Sequence, residues 1–369
     1  MKIEQLTFTR YLAAMTVVFF HFGMEAFPAT IAWIKPVITA GPIAVSYFFV
    51  LSGFIMAVAY YAPLLNKPGA RFNPRKYWLA RFARIYPVYL LALLLMIAAN
   101  LRGDGSEPFT VLLSLTALQA WIPGYAMTLN SPGWSISVEW FFYLSFPLLL
   151  LWVRKRQLTG LLIISLIVWL VTQIVQIVLH NSAAYAPATP LHEFIYYHPL
   201  MHINTFVMGF VVGVYFCDGR LDKLRQGWNG PLLALLSLLM ILALIYESRI
   251  EAALGILIDY NNGLIAPLFL SIIVLLALNR GRVNKLFSLP LLVLLGEASY
   301  SLYILQRPVY GIYDRTFGQW LGLDNHMHFY LFALLLTLLS VASFRYLETP
   351  LRRMINSYYV SSGKGGQAV

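Results

Sequence analysis

Residues 159–179 read TGLLIISLIVWLVTQIVQIVL, a run with no charged side chain. Wound as an α-helix at 1.5 Å per residue, the stretch is about 30 Å long, the thickness of the hydrocarbon layer of a bilayer. The pattern recurs along the chain. Apolar runs at 6–24, 43–61, 84–101, 134–153, 200–217, 229–246, 262–279, 288–308 and 329–347, cut by charge clusters or Pro/Gly turns, bring the expected spans to about ten. A further apolar run, 109–122, is too short to cross comfortably. It stops at the polar, turn-rich stretch 123–132, so it reads as re-entrant or interfacial. The expected fold is all-α, a polytopic integral membrane protein.

Composition agrees. Of the 369 residues 60% are hydrophobic and 11% charged, where a soluble domain carries about 25% charged residues. A soluble enzyme, a disordered tail and a nucleic-acid module are excluded. The net charge of +11 then reflects the basic cytoplasmic loops that membrane insertion favours. Of the 26 Lys and Arg, 20 fall on one side of the ten-span arrangement and 4 on the other, while Arg10 and Arg307 stay within spans. This alternation holds only if 109–122 does not cross, and it puts both termini in the cytoplasm. With no internal repeat or long linker, residues 1–350 form one transmembrane domain. Residues 351–369 form a cytoplasmic tail, with Ser361–Val369 expected to be flexible. The first apolar run lacks a small-residue cleavage site and reads as an uncleaved span. The single cysteine, Cys217, excludes an internal disulfide and a multi-cysteine zinc site, and reads as an inert buried thiol.

Ionisable groups are costly inside lipid and mark function more often than packing. Arg10, His21, Glu139, Glu297 and Arg307 are the candidates. Arg10 and His21 share the first span. Their separation of eleven residues leaves them about 20° apart around the helix and about 16 Å apart along it. Arg10 falls near the cytoplasmic end and His21 near the outer end. Glu139 opens the fourth span from outside, at a depth expected to match His21, where a carboxylate would orient an imidazole. The alternative is a carboxylate placed only by the helix dipole. Ser52-Gly53 forms a small-residue notch that admits another helix or a thin ligand. Arg81 and Arg84, three residues apart at the cytoplasmic edge, suit a phosphate-bearing ligand or anionic lipid. His192, His198 and His202 gather on the outer side. His198 and His202 have the spacing of helical metal ligands, but Pro199 lies between them; a polar entrance is expected and no metal.

Six segments, in order and over nearly the whole chain, resemble the acyltransferase-3 family of bacterial membrane acyltransferases. RYLAAMTVVFFHF at 10–22 is similar to the family's element of an arginine and a histidine with ten residues between them, and YFFVLSGF at 47–54 to its FFVLSGF segment. RFARIYP at 81–87, GWSISVEWFFYLSFP at 133–147, LGEASYSLYILQRPV at 295–309 and Glu348-Thr349-Pro350 resemble the remaining motifs. Gln306 stands where members often have histidine. It keeps hydrogen bonding but is no base near neutral pH.

The resemblance implies transfer of an acyl group, most often acetyl, from cytoplasmic acyl-CoA to a hydroxyl of an extracytoplasmic glycan such as exopolysaccharide or lipopolysaccharide. The chain looks like the stand-alone type, without a hydrolase-like domain. On this reading His21 is the base or a transient acyl carrier, and Glu139 tunes it. Arg10, Arg81 and Arg84 hold acyl-CoA as donor, with Ser52 and Tyr300 lining the passage. Expected partners are a glycan or lipid-linked sugar, the bilayer of the bacterial cytoplasmic membrane, and polysaccharide biosynthesis or export proteins, with no nucleic acid. A proton-coupled secondary transporter shares the buried histidine and carboxylates, though no inverted repeat or paired broken helices accompany them. A non-catalytic subunit of a polysaccharide export complex is the other alternative. The membrane-bound O-acyltransferase type also uses a buried histidine, but the N-terminal position of His21 argues against it.

Overall fold

The computed structural model describes residues 3–66, 69–101, 105–154, 158–225, 228–318 and 322–364. Lys2, Lys67, Arg102, Lys155 and Arg156 of the charge pattern, and residues 365–369 of the tail, lie outside the described residues. Among the described residues all regular structure is helical. In chain order the α-helices are α1 (Gln5–Phe22), α2 (Lys35–Thr39), α3 (Ile43–Met56), α4 (Ala62–Asn66), α5 (Pro74–Asn100), α6 (Pro108–Leu115), α7 (Trp134–Arg154) and α8 (Leu158–His180). They continue as α9 (Pro190–Tyr197), α10 (Pro199–Cys217), α11 (Asn229–Leu254), α12 (Ala266–Leu278), α13 (Arg282–Phe287), α14 (Pro290–Tyr313), α15 (Asn325–Ser343) and α16 (Thr349–Lys364). π-helical turns at Ala57–Tyr61 and Phe344–Glu348 splice α3 to α4 and α15 to α16.

Each of the ten expected windows contains a helix. Among the described residues seven stretches are long and apolar enough to cross a membrane: Ile43–Asn66, Pro74–Asn100, Ser131–Val153, Leu158–His180, Pro190–Cys217, Asn229–Leu254 and Asn325–Ser357. Of the other three, α12 is apolar but only 13 residues long. The remaining two, α1 and α14, have the length and owe their lower apolarity to Arg10 and His21, and to Glu297, Gln306 and Arg307. The short apolar run after 108 is the eight-residue α6, about 12 Å long and too short to cross.

Two close helix contacts set the core. Helix α10 runs through the middle, buried along most of its length, against α3 and α8. A Cβ at Gly53 would sit 2.1 Å from the Phe206 carbonyl oxygen, and one at Gly209 would sit 2.0 Å from that of Val50. The notch in the second span therefore receives a helix backbone, the small-residue packing that lets membrane helices interlock. Helices α1 and α14 meet in the same way, with a Gly296 Cβ position 2.0 Å from the Thr7 carbonyl oxygen.

Two boundaries differ from the sequence reading. Helix α5 begins at Pro74, capped by the Asn73 side chain accepting from Lys76 N at 3.0 Å, ten residues before the expected span. A polar first helical stretch looks like a loop when spans are cut at charges. Of the stretch Ser361–Val369 expected to be flexible, the described part is helical as far as Lys364, the end of α16, which packs against α5.

Candidate active site

A line of adjacent cavities, enclosed by α1, α3, α7 and α14 and closed at one end by α5, runs from the start of α1 to its end. The first, about 200 Å³, is lined by Arg10, Leu51, Arg84 and Glu297 among others. The second, about 80 Å³, brings together Arg10, Ser52, Arg81, Arg84, Glu139 and Tyr300. A neck of about 40 Å³ follows, lined by Arg10, Val45, Ser135, Glu139, Tyr300 and Tyr303. The last cavity, about 290 Å³, holds His21, Val45, Ser131 and Tyr303. Each shares wall residues with the next. One face of the seventh helix and its lead-in turn descends the line in steps of four residues: Ser131, Ser135, Glu139 and Tyr143.

The second cavity is a basic chamber in low-dielectric surroundings. Arg81 lies with its guanidinium 5.7 Å from the Tyr60 ring centre and 5.9 Å from that of Tyr143. Its Nη2 donates to Tyr60 Oη at 3.3 Å, and its Nε has no partner. Tyr143 Oη donates to Glu139 at 3.2 Å, and Tyr300 Oη donates to the Ile85 carbonyl oxygen at 2.7 Å. Arg10 lies within electrostatic reach of Arg84, Glu297, Glu139 and Glu348. Because α5 starts early, Arg81 and Arg84 sit two to three turns inside the helix rather than at its edge. Guanidiniums held there are donors arranged for phosphate oxygens.

At the other end His21 Nδ1 lies 2.9 Å from Gln306 Oε1. The amide of Gln306 is oriented by its own Nε2, which donates to the Tyr303 carbonyl oxygen at 2.7 Å. The oxygen is thus turned toward His21, so Nδ1 carries the proton and Nε2 keeps its lone pair. Gln306 is fully buried, so the orientation is fixed by packing. Arg307, exposed at the rim, donates from Nε to Ser131 Oγ at 2.9 Å.

Six of the seven residues singled out from sequence, Arg10, Ser52, Arg81, Arg84, Glu139 and Tyr300, share one chamber, and His21 stands apart from them in the last cavity. The expected pairing of Glu139 with His21 is corrected: Gln306 orients the imidazole. The reason is depth. Helical structure before α7 begins at Ser131, so Glu139 lies about two turns below the outer end and level with the neck. Two of the outer histidines hold backbone groups. His198 caps α10, with Nδ1 accepting from Leu200 N at 3.4 Å, while His202 Nε2 lies 2.9 Å from the Tyr196 carbonyl oxygen. Among the described residues no cluster of three or more His, Cys, Asp or Glu side chains could hold a metal ion. Sequence reasoning noted Gln306 only as a departure; the role of Tyr303 in the neck carried no signal beyond its place in the SYSLY segment.

Comparison with known proteins bears on the same residues. A family model described as an acyltransferase domain, Acyl_transf_3, matches residues 3–345. The chain is similar to acyltransferase MdmB of Streptomyces mycarofaciens, with 29% identity over 87% of this chain and 82% of the relative. It is similar to exopolysaccharide production protein ExoZ of Rhizobium meliloti, with 27% identity over 89% of this chain and 95% of that protein. Peptidoglycan O-acetyltransferase OatA of Listeria monocytogenes is 23% identical over 93% of this chain, which spans 55% of that longer protein. No solved structure matches.

Proposed function

The chain belongs to the acyltransferase-3 family of membrane acyltransferases, and from that premise we propose that it carries an acetyl group from cytoplasmic acetyl-CoA to a hydroxyl of an extracytoplasmic glycan in the bacterial cytoplasmic membrane. The observation that carries this reading is the line of cavities with guanidiniums at one end and a tautomer-fixed histidine at the other. Its two ends are built from opposite helix ends. The start of α1, the end of α3 with its π turn and the start of α14 line the basic end. The end of α1, the start of α3 and the approach to α7 line the histidine end. Those are the sides that the Lys/Arg pattern assigns to cytoplasm and exterior.

Arg10, Arg81 and Arg84 hold the phosphates of CoA, and the extended pantetheine arm lies along the neck, a route of about 16 Å from Arg10 to His21. At the far end His21 Nε2 takes the proton of the acceptor hydroxyl as its oxygen bonds to the thioester carbonyl carbon. The carbon–sulfur bond then breaks, and the proton passes to the CoA thiolate. An acyl-imidazole intermediate would use the same nitrogen. Glu139 offsets the charge of the guanidiniums in the chamber and does not touch the reacting atoms. The test is turnover of labelled acetyl-CoA by purified protein in nanodiscs. Histidine-dependent CoA release with label passed to a glycan is expected. Well-folded protein that neither binds nor turns over acetyl-CoA overturns the reading.

A further inference from the structure

The cavity that holds His21 has a second wall that the transfer chemistry does not use. It comes from α9, α10, the start of α7 and the loop after α11: Trp134, His192, Tyr196, Tyr197, His202 and Asn261. All lie within the residues the family model matches, but only Trp134 falls in one of the six motif segments. His202 is 1% exposed; its Nε2 is engaged by the Tyr196 carbonyl oxygen and its Nδ1 has no partner. Asn261 Oδ1 is likewise buried without a partner. Backbone bonds fix the Asn261 position: its N–H donates to Asp259 Oδ1 at 2.6 Å, and its carbonyl oxygen accepts from Ser46. Beside these atoms stand aromatic rings braced by one another. The Trp134 ring centre is 5.1 Å from Tyr197 and 5.2 Å from His202, and that of Tyr196 is 4.4 Å from His192.

Unpaired buried polar atoms among rigid aromatic faces describe a site for a molecule that has both apolar C–H faces and a girdle of hydroxyls. No Asp, Glu, Lys or Arg lines the cavity, so a charged group entering it would be desolvated with no charged side chain in its walls. Arg307 lies at the rim and reaches the cavity through Ser131.

We propose that Trp134, Tyr196, Tyr197, His202 and Asn261 form an acceptor subsite that seats one uncharged pyranose ring next to His21. The proposal rests on the acyltransferase reading and adds which part of the molecule selects the acceptor and for what charge. The ring lies against the aromatic faces. A ring hydroxyl donates to Asn261 Oδ1 and another bonds His202 Nδ1, which leaves a further hydroxyl for His21.

The test reads binding directly. Saturation-transfer NMR of the full chain in nanodiscs would use methyl glucopyranoside and methyl galactopyranoside as neutral probes, and methyl glucuronide as the charged one. Saturation transfer to at least one neutral glycoside, and about tenfold less to the glucuronide, is expected. Asn261→Ala removes Oδ1 together with the amide's bond to Asp259, and His202→Phe keeps the ring contacts with Phe49 and Trp134. Each should weaken the neutral signal about tenfold. Gly230→Ala, at a position with open space around it, should leave it unchanged. No neutral signal from folded wild type, an equal signal from the glucuronide, or full signal in both folded variants overturns the subsite. If histidine-dependent CoA release persists in that case, only the subsite falls. Loss of acetyl-CoA binding and release together is the separate failure of the acyltransferase reading.

Discussion

At the scale of single residues, the commitment of the Gln306 amide to the Tyr303 carbonyl decides how His21 is protonated. A histidine in the same place would have two tautomers of its own; glutamine has one orientation here and imposes it. His21→Ala should lower transfer by about 10²–10⁴-fold, the usual worth of a positioned base, while the protein still inserts and elutes as one species. Undiminished label transfer in that variant would remove His21 from the reaction. Gln306→Leu should lower kcat about tenfold, the loss of one orienting hydrogen bond, with acetyl-CoA affinity kept; an unchanged kcat would show that the amide orients nothing. Arg10 and His21 were legible because charge is costly in lipid and their spacing puts them on one face. The Gln306 contact was not, since the partners lie 285 positions apart and nothing local in either segment points to the other. The expected partner, Glu139, failed on depth, which depends on where a turn begins.

At the scale of elements, apolar windows predicted the helices well, and the polar helix ends badly, because the cues that end a span in lipid do not end a helix. The α3–α10 contact follows from Gly53 and Gly209, whose carbonyl-contacting positions leave no room for a side chain. Gly209→Val should therefore cost about 1–3 kcal/mol or more, seen as a lower melting temperature in detergent, whereas Gly230→Ala should melt with wild type. Equal melting of both variants would mean that the helices part without penalty. The loop between α11 and α12 offers a pH test. Burial pushes the Asp259 carboxyl above its ordinary 3.8, while hydrogen bonds from Tyr196 and the Asn261 N–H pull the other way. The folded state therefore binds this proton more tightly than the unfolded chain, and stability present at low pH is lost as pH rises from about 4 through the folded value. Asp259→Asn should not suffer that loss. Its melting temperature should gain on wild type as pH rises above about 4, and a constant gap would show that the carboxyl is not held in its protonated form.

At the scale of the whole molecule, the cavities give a reason for polar side chains in α1 and α14: Arg10, His21 and Glu297, which lower the apolarity of these two long helices, also wall the passage. The Lys/Arg pattern predicts its direction, and opposite helix ends group around the two terminal cavities, although no single segment carries that information. A passage of this kind makes the neck the element that separates donor binding from transfer. Ser135 sits there, 5% exposed, its hydroxyl donating to the Pro132 carbonyl oxygen within its own helical turn. Ser135→Leu adds bulk to a space of about 40 Å³ without removing a charge or a contact to CoA. Acetyl-CoA should still bind the variant with wild-type affinity, because the guanidiniums lie beyond the neck, while label transfer should fall by about 10²-fold. In inverted vesicles, where the cytoplasmic face is outward, added acetyl-CoA should support transfer by wild type; in sealed right-side-out vesicles it should not. Transfer at full rate through a filled neck would mean that the acyl group takes another route. Equal rates in both vesicle orientations would mean that the two ends of the passage do not face opposite sides of the membrane.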